Sequence, residues 1–389
     1  MTEQLIGVIN AGSSSLKFSV YAGDHRLLDG QVDGIGVRPA AKARDVEGMA
    51  LPPPDLGAAP PTTPADALIA IMPWLNDRLG GRRFAALGHR VVHGGPHHAA
   101  PCLVTQALLA ELDALSPLAP LHQPHNLAPI RAAMERAPNL PQVACFDTAF
   151  HRTIPEVSQV FALPRAMTDR GIRRYGFHGL SYDYIASVLP RVAPEIARGR
   201  VVVAHLGNGA SLCALRDGRS VATTMGFSAL DGLPMGTRCG QLDPAVVLHL
   251  LTTEGMSVGD VEALLYRKSG LLGLSGISSD FRELLASDQP SARFAIEVFV
   301  HQVARNMGSL AAALGGLDGI VFTAGVGENA VPIRAAICAA CAWLGVELDP
   351  AANGAGGPRI TAPGSRVAAF VIPTEENLMI ARQTRALLG

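Results

Sequence analysis

Two stretches decide the fold: Leu5-Ile-Gly-Val-Ile-Asn10-Ala-Gly-Ser-Ser-Ser15-Leu-Lys17-Phe-Ser-Val-Tyr21, and Val201-Val-Val-Ala-His205-Leu-Gly-Asn-Gly-Ala210-Ser-Leu-Cys-Ala-Leu215. Each opens on a mostly apolar run of six residues, long enough for a buried strand and short for a helix. Each run stops at a turn of Gly, Asn and Ser, residues that tolerate tight backbone conformations and leave amide N–H groups open. A second strand follows each turn, with a period of two over Leu16–Tyr21. Asp217-Gly218 then signals a hairpin. One pattern met twice predicts two related α/β halves.

Working outward, residues 52–64 are rich in Pro and Ala and predict a loop. Periodicity predicts helices over 65–79, 105–115, 182–189, 244–252, 258–266, 292–314 and 378–388. Strands are expected over 86–93, 143–146 and 319–323. A chain of 389 residues suggests two domains. With 48% hydrophobic and 17% charged residues it can build sizeable cores. A net charge of -1 gives no pull toward nucleic acid or an anionic membrane. The first residues lack the basic start of a signal peptide, and the most apolar stretch, 307–326, is interrupted by Asp318. Six scattered cysteines make no disulfide framework, so a reducing cytoplasm is expected. Cys338 and Cys341 lie in an Ala-rich helical stretch and are expected to pack in a core.

Three small-residue segments could receive phosphate. Asn10–Lys17 combines open amides, hydroxyls and an ammonium, and could cradle phosphate or hold hydrated Mg2+. Gly207-Asn208-Gly209 allows close backbone approach. Gly325-Val326-Gly327-Glu328-Asn329 lies between a strand and a helix, beside helix N-terminal amides. Neither a P-loop nor a protein-kinase catalytic loop is present. Arg90, Arg238 and Arg282, with His122, His178 and Asp147, stand at strand ends or turns. Phosphoryl transfer needs such positive charge around the equatorial oxygens.

In these segments the chain resembles the acetate kinase family. The resemblance runs through His89-Arg-Val-Val-His-Gly-Gly95, Leu118-Ala-Pro-Leu-His122, Phe146-Asp-Thr-Ala-Phe-His151 and Arg174-Tyr-Gly-Phe-His-Gly179. It continues in Met235-Gly-Thr-Arg238, Ser278-Ser-Asp-Phe-Arg282 and Thr323–Asn329. It implies two duplicated actin-like ATPase (ribonuclease H-like) domains with a nucleotide cleft between them. One would cover 1–149 plus 377–389. The other, 150–376, would carry most of the ATP site and the interface of a homodimer. The implied reaction is reversible transfer from ATP to acetate, giving ADP and acetyl phosphate, with Mg2+ (or Mn2+) as cofactor and no nucleic acid or membrane partner.

By the same resemblance, Asn10 and Glu376 would hold the metal, with Glu375 as an alternative to Glu376, and Lys17 would contact phosphate. Arg90 would bind the substrate carboxylate. Asp147, His178, Arg238 and His122 would form the catalytic set, and Val92, Leu121 and Phe177 the pocket for the substrate methyl. His205, Leu206, Gly207, Asn208, Gly209, Asp280, Phe281, Arg282, Gly325, Val326, Gly327, Glu328 and Asn329 would bind ATP. The chain departs from the family pattern at Leu180 and Tyr182, where Thr and His are common, and at Ala229, where Pro is usual. A smaller wall at Ala229 would admit propionate. Three other readings compete. A non-catalytic ATP-binding or chaperone-like member of the same superfamily is one, opposed by the Arg and His residues around a small-anion pocket. Gly325-x-Gly327-x-x-Ala330 with Glu347 suits a dinucleotide-binding dehydrogenase, but too little chain follows it. His89, His93, His97 and His98 suggest zinc, but Gly94-Gly95-Pro96 breaks the helix their spacing needs.

Overall fold

A computed structural model describes residues 4–389 apart from Leu121. The chain divides into two compact units, residues 1–150 with 375–389, and residues 151–374.

The first unit is built on β1 (Leu5–Ala11), β2 (Ser15–Ala22), β3 (His25–Asp33), β4 (Ala40–Asp45), β5 (Ala50–Leu51), β6 (Phe84–Val91), β7 (Cys102–Leu103) and β8 (Gln142–Phe146), ordered β5-β4-β3-β2-β1-β6-β8-β7. The second uses β9 (Arg200–Leu206), β10 (Ala210–Arg216), β11 (Arg219–Thr223), β12 (Gly319–Thr323) and β13 (Ala368–Val371), ordered β11-β10-β9-β12-β13. One five-strand plan underlies both sheets. In β3-β2-β1-β6-β8 and in β11-β10-β9-β12-β13, three antiparallel neighbours lead into strands parallel to the first. This is the duplication that the repeated strand–turn–strand pattern predicted.

Every residue of β8 and β12 is buried, as are six of the seven in β9. Strands covered on both faces read as unbroken apolar runs, which is why these were visible in the sequence. Helix Glu376–Leu388 packs on the first sheet, where a Cβ at Gly88 of β6 would overlap Thr384 and Ile380. Helix Pro64–Arg78 starts at a capping box, with Thr63 Oγ1 accepting from the Asp66 N–H and Asp66 from the Thr63 N–H.

Three expectations need correction. The strand over 86–93 ends at Val91, because Asn126 and Gln123 side chains take the N–H groups of Val92 (2.9 Å) and His93 (3.2 Å). The helix over 182–189 runs from Gly179 to Val192, with His178 as its N-cap in the left-handed region (φ 59°). Gly325–Asn329 is not a loop: helix Ala324–Asn329 leaves β12 directly and breaks at Ala330 before helix Val331–Ala340. Cys338 and Cys341 are both buried, and burial pushes their thiols up to about 12 and about 11, so both are packed neutral groups.

Candidate active site

In the first unit the chemistry gathers at the ends of β1, β6 and β8. Parallel pairing sets Arg90 beside Cys145 and brings the chain out of β8 at Asp147. Arg90 donates from Nε to Asp147 Oδ1 (3.2 Å) and from a terminal nitrogen to Oδ2 (2.5 Å), while its other terminal nitrogen lies 3.5 Å from Asn10 Oδ1. The Asp147 side chain is 2% exposed. Burial works against the Arg90 charge, but Asp147 and Glu376 outweigh it and hold its pKa above the usual arginine value. Arg90 therefore stays cationic, with both Asp147 oxygens committed to it.

The two glutamates differ. Glu375 accepts from the Tyr21 hydroxyl and from Arg26, each at 3.1 Å. Glu376 opens the C-terminal helix and is the carboxylate that acts on Arg90. Asn10 Oδ1 and the Glu376 carboxylate are hard oxygen donors of the kind Mg2+ accepts, and two protein oxygens leave room for phosphate and water. Among the described residues no cluster of three or more His, Cys, Asp or Glu forms a metal cage. Lys17 is exposed and faces Asn10 across the β1–β2 pair. His122 stands at the N-cap position of helix Gln123–Arg136 without a side-chain capping bond, and Leu121 lies outside the described residues.

Sequence reading missed two supports on that helix. Asn126 accepts from the Val92 N–H and donates to the Ala11 carbonyl (2.6 Å), tying the ends of β1 and β6 together. Gln123 donates to the His93 and Leu112 carbonyls. Both side chains are buried, but the stretch His122-Gln-Pro-His-Asn126 is polar in the sequence, so residue type alone gave no signal that these two point inward.

In the second unit, Gly176 (φ 78°) lies against the His151 ring and allows no Cβ, which fixes the turn carrying Phe177 and His178. Phe177 is buried, and its carbonyl meets His151 Nε2 at 2.9 Å. The His178 ring stacks on His205 with centroids 4.2 Å apart and 19° between planes. His178 Nδ1 lies 2.8 Å from Ser211 Oγ, which is 2.5 Å from the Tyr182 hydroxyl. His205 Nδ1 meets Ser181 Oγ at 2.8 Å. Arg238 donates to the Ala229 carbonyl (3.0 Å). An ideal Cβ at Gly209 would lie 3.2 Å from His178 Nε2 and 4.0 Å from an Arg238 terminal nitrogen, so both groups close over the Gly207–Gly209 turn.

A cavity of about 720 Å³ in this unit is lined by Gly207, Asn208, Asp280, Phe281 and Arg282, and by Gly325, Val326 and Asn329. Ser279, Leu285, Ala330 and Pro332, none of them among the residues expected to bind ATP, complete its wall. Space around Gly325 is open, so its backbone faces the cavity unobstructed. Phe281 anchors its segment by an edge contact on Phe299 (4.8 Å). Asp280 caps the next helix by accepting from the Arg282 N–H, and its pKa is lowered to about 2 by hydrogen bonds from Arg282. Leu206, Gly209, Gly327 and Glu328 do not line this cavity. Leu206 is buried at the end of β9, Gly327 packs against Phe322, and Glu328 accepts from the Thr374 N–H (3.1 Å). Arg334, also missed, is fully buried and donates to the Gly327 and Glu328 carbonyls and to Asn353. It closes the C-terminal end of helix Ala324–Asn329.

Comparison with known proteins places these residues in context. The sequence profile of the acetokinase family matches residues 5–382. An acetate kinase of Rhodopseudomonas palustris is 54% identical over 384 residues, covering 96% of each chain. One of Rhizobium meliloti is 53% identical over 386 residues, covering 98% of each. Among solved structures, a propionate kinase from Francisella tularensis superposes with a TM-score of 0.91 at 36% identity, covering 98% of this chain and 99% of that one. The acetate kinase of Porphyromonas gingivalis gives 0.88 at 34% identity, covering 99% and 100%.

Proposed function

The chain belongs to the acetokinase family, and from that membership we propose that it transfers the γ-phosphoryl group of ATP reversibly to acetate, giving acetyl phosphate and ADP. The observation that carries this reading is the match to acetate kinases at 53–54% identity along nearly the whole chain.

Acetate is ionised near pH 7, so its oxygen needs no general base. What limits direct in-line transfer is repulsion between two anions. Arg90 is the group for the substrate carboxylate, a planar cation held by a buried partner. Asp147 orients Arg90 and does not abstract a proton, since both its oxygens accept from that guanidinium. The second unit supplies His178 and Arg238 over the Gly207–Gly209 turn for the transferred phosphoryl group, and the cavity bounded by Asp280–Arg282 and helix Ala324–Asn329 for the nucleotide. Lys17 and His122 add donors for the anions. Asn10 and Glu376 would hold Mg2+, which when bound neutralises charge on the ATP phosphates. Glu376 is favoured over Glu375, whose carboxylate is taken by Tyr21 and Arg26.

A second reading, propionate as the main substrate, draws on Ala229 and on the propionate kinase among the similar structures. One methylene is worth about 1–3 kcal/mol of discrimination. Steady-state kcat/KM for acetate, propionate and butyrate decides between them: the acetate reading requires the highest value with acetate, and a higher value with propionate replaces it.

The protein is further proposed to be a cytoplasmic homodimer. All six cysteines are free, and no helix among the described residues is long and apolar enough to cross a membrane. Helix Pro244–Thr252 (Pro-Ala-Val-Val-Leu-His-Leu-Leu-Thr) has no buried residue, with Leu248 61% exposed and Val258 nearby in sequence 74% exposed. A second copy would cover such a surface.

A further inference from the structure

We propose that Tyr182 and Ser211 are positioning residues that hold His178 as its Nε2–H tautomer, so that it meets the transferred phosphoryl group as a neutral hydrogen-bond donor. The inference rests on the phosphoryl-transfer reading above and names how one residue of that site is prepared.

Tyr182 is fully buried one turn into helix Gly179–Val192, and its hydroxyl lies 2.5 Å from Ser211 Oγ. Ser211 Oγ lies 2.8 Å from His178 Nδ1. A phenol is the stronger donor of the two hydroxyls and an aliphatic oxygen the stronger acceptor, so Tyr182 donates to Ser211. Burial raises the Tyr182 pKa well above its ordinary value, which keeps that proton in place. Ser211 has one hydrogen of its own, and the remaining partner in line is His178 Nδ1. Nδ1 therefore accepts, and the single proton of the neutral imidazole sits on Nε2.

Two further observations agree. His178 stacks face to face on His205 at 4.2 Å, and two imidazoles at that separation cannot both be charged without repulsion. Its Nε2 closes over Gly209 together with Arg238, so the proton is presented where an anion would be received. His178 keeps this proton throughout, because an acceptor that is already an anion needs none removed.

The test is 15N NMR of the full-length protein labelled at histidine, with the His178 signals identified by their loss in His178→Gln. An acceptor-type Nδ1 and a protonated Nε2 are expected. In Tyr182→Phe the Nδ1-protonated form should gain population and kcat should fall about tenfold, with KM for ATP little changed. Ser211→Ala should move both readouts in the same direction, and Tyr182→His, which restores a donor, should recover both. A protonated Nδ1 in the parent protein overturns the proposal without any variant. So does a Tyr182→Phe protein whose tautomer is unchanged, whatever its kcat. Absence of turnover in the parent protein would instead count against the kinase reading, and the tautomer would still be readable.

Discussion

Arg90 and Asp147 carry the charge balance of the first unit, and each is predicted to fail in its own way. Asp147→Asn keeps the shape but leaves Arg90 without its carboxylate. If Asp147 orients Arg90, kcat/KM for acetate should fall about a hundredfold or more, the equivalent of about 3 kcal/mol. Near-normal turnover would refute that role. Arg90→Lys should not rescue, since an ammonium cannot reproduce a two-pronged contact. Glu376→Gln should raise the Mg2+ concentration needed for half-maximal activity, whereas Glu375→Gln should change thermal stability and leave the metal requirement alone. The opposite pattern would assign the metal to Glu375. Buried histidines give a pH dependence of their own. Burial holds His89, His93 and His151 at about 4, against 6.5 for the free side chain. Between those values the unfolded chain binds more protons than the folded one. Stability is thus complete above pH 6.5 and is lost as pH falls toward 4, by about 2 kcal/mol per histidine at pH 5. Urea midpoints at pH 7 and pH 5 measure it, and equal midpoints would contradict it.

Among the elements, legibility followed burial and chemistry. β9 and β12 could be read directly because a doubly covered strand is a plain apolar run. β3 and β4 could not, because His25–Asp33 and Ala40–Asp45 are polar and only partly buried, and take their conformation from pairing with β2 and with each other. Helix Ala324–Asn329 was misread for a different reason. Its two glycines argue for a loop, and what sustains it lies elsewhere in the sequence: Arg334 donates to the Gly327 and Glu328 carbonyls at its end. Residue-type patterns cannot show such a partner. Arg334→Met should therefore raise KM for ATP several-fold while leaving KM for acetate nearly unchanged, with a stability loss of about 3 kcal/mol from carbonyls left without donors. Equal effects on both KM values would mean that Arg334 supports the fold at large rather than this helix.

Taken whole, the molecule is one five-strand plan used twice, and the repeated strand–turn–strand was enough to anticipate it. Its return to the first unit was not legible in composition: helix Glu376–Leu388 seals β6 through Ile380 and Thr384, a contact that depends on Gly88 having no side chain. The exposed apolar helix Pro244–Thr252 makes a prediction at this scale. The protein should run as a dimer in light scattering, and Val246→Glu with Leu248→Glu should make it monomeric. A monomeric parent protein would leave that surface to another partner. The central claim is that this chain phosphorylates a short carboxylate, and the most direct measurement is trapping of the product. Purified protein with Mg-ATP and acetate, quenched with hydroxylamine, should yield acetohydroxamate in step with ADP. A folded, ATP-binding protein that gives no hydroxamate with acetate, propionate or butyrate would contradict the account.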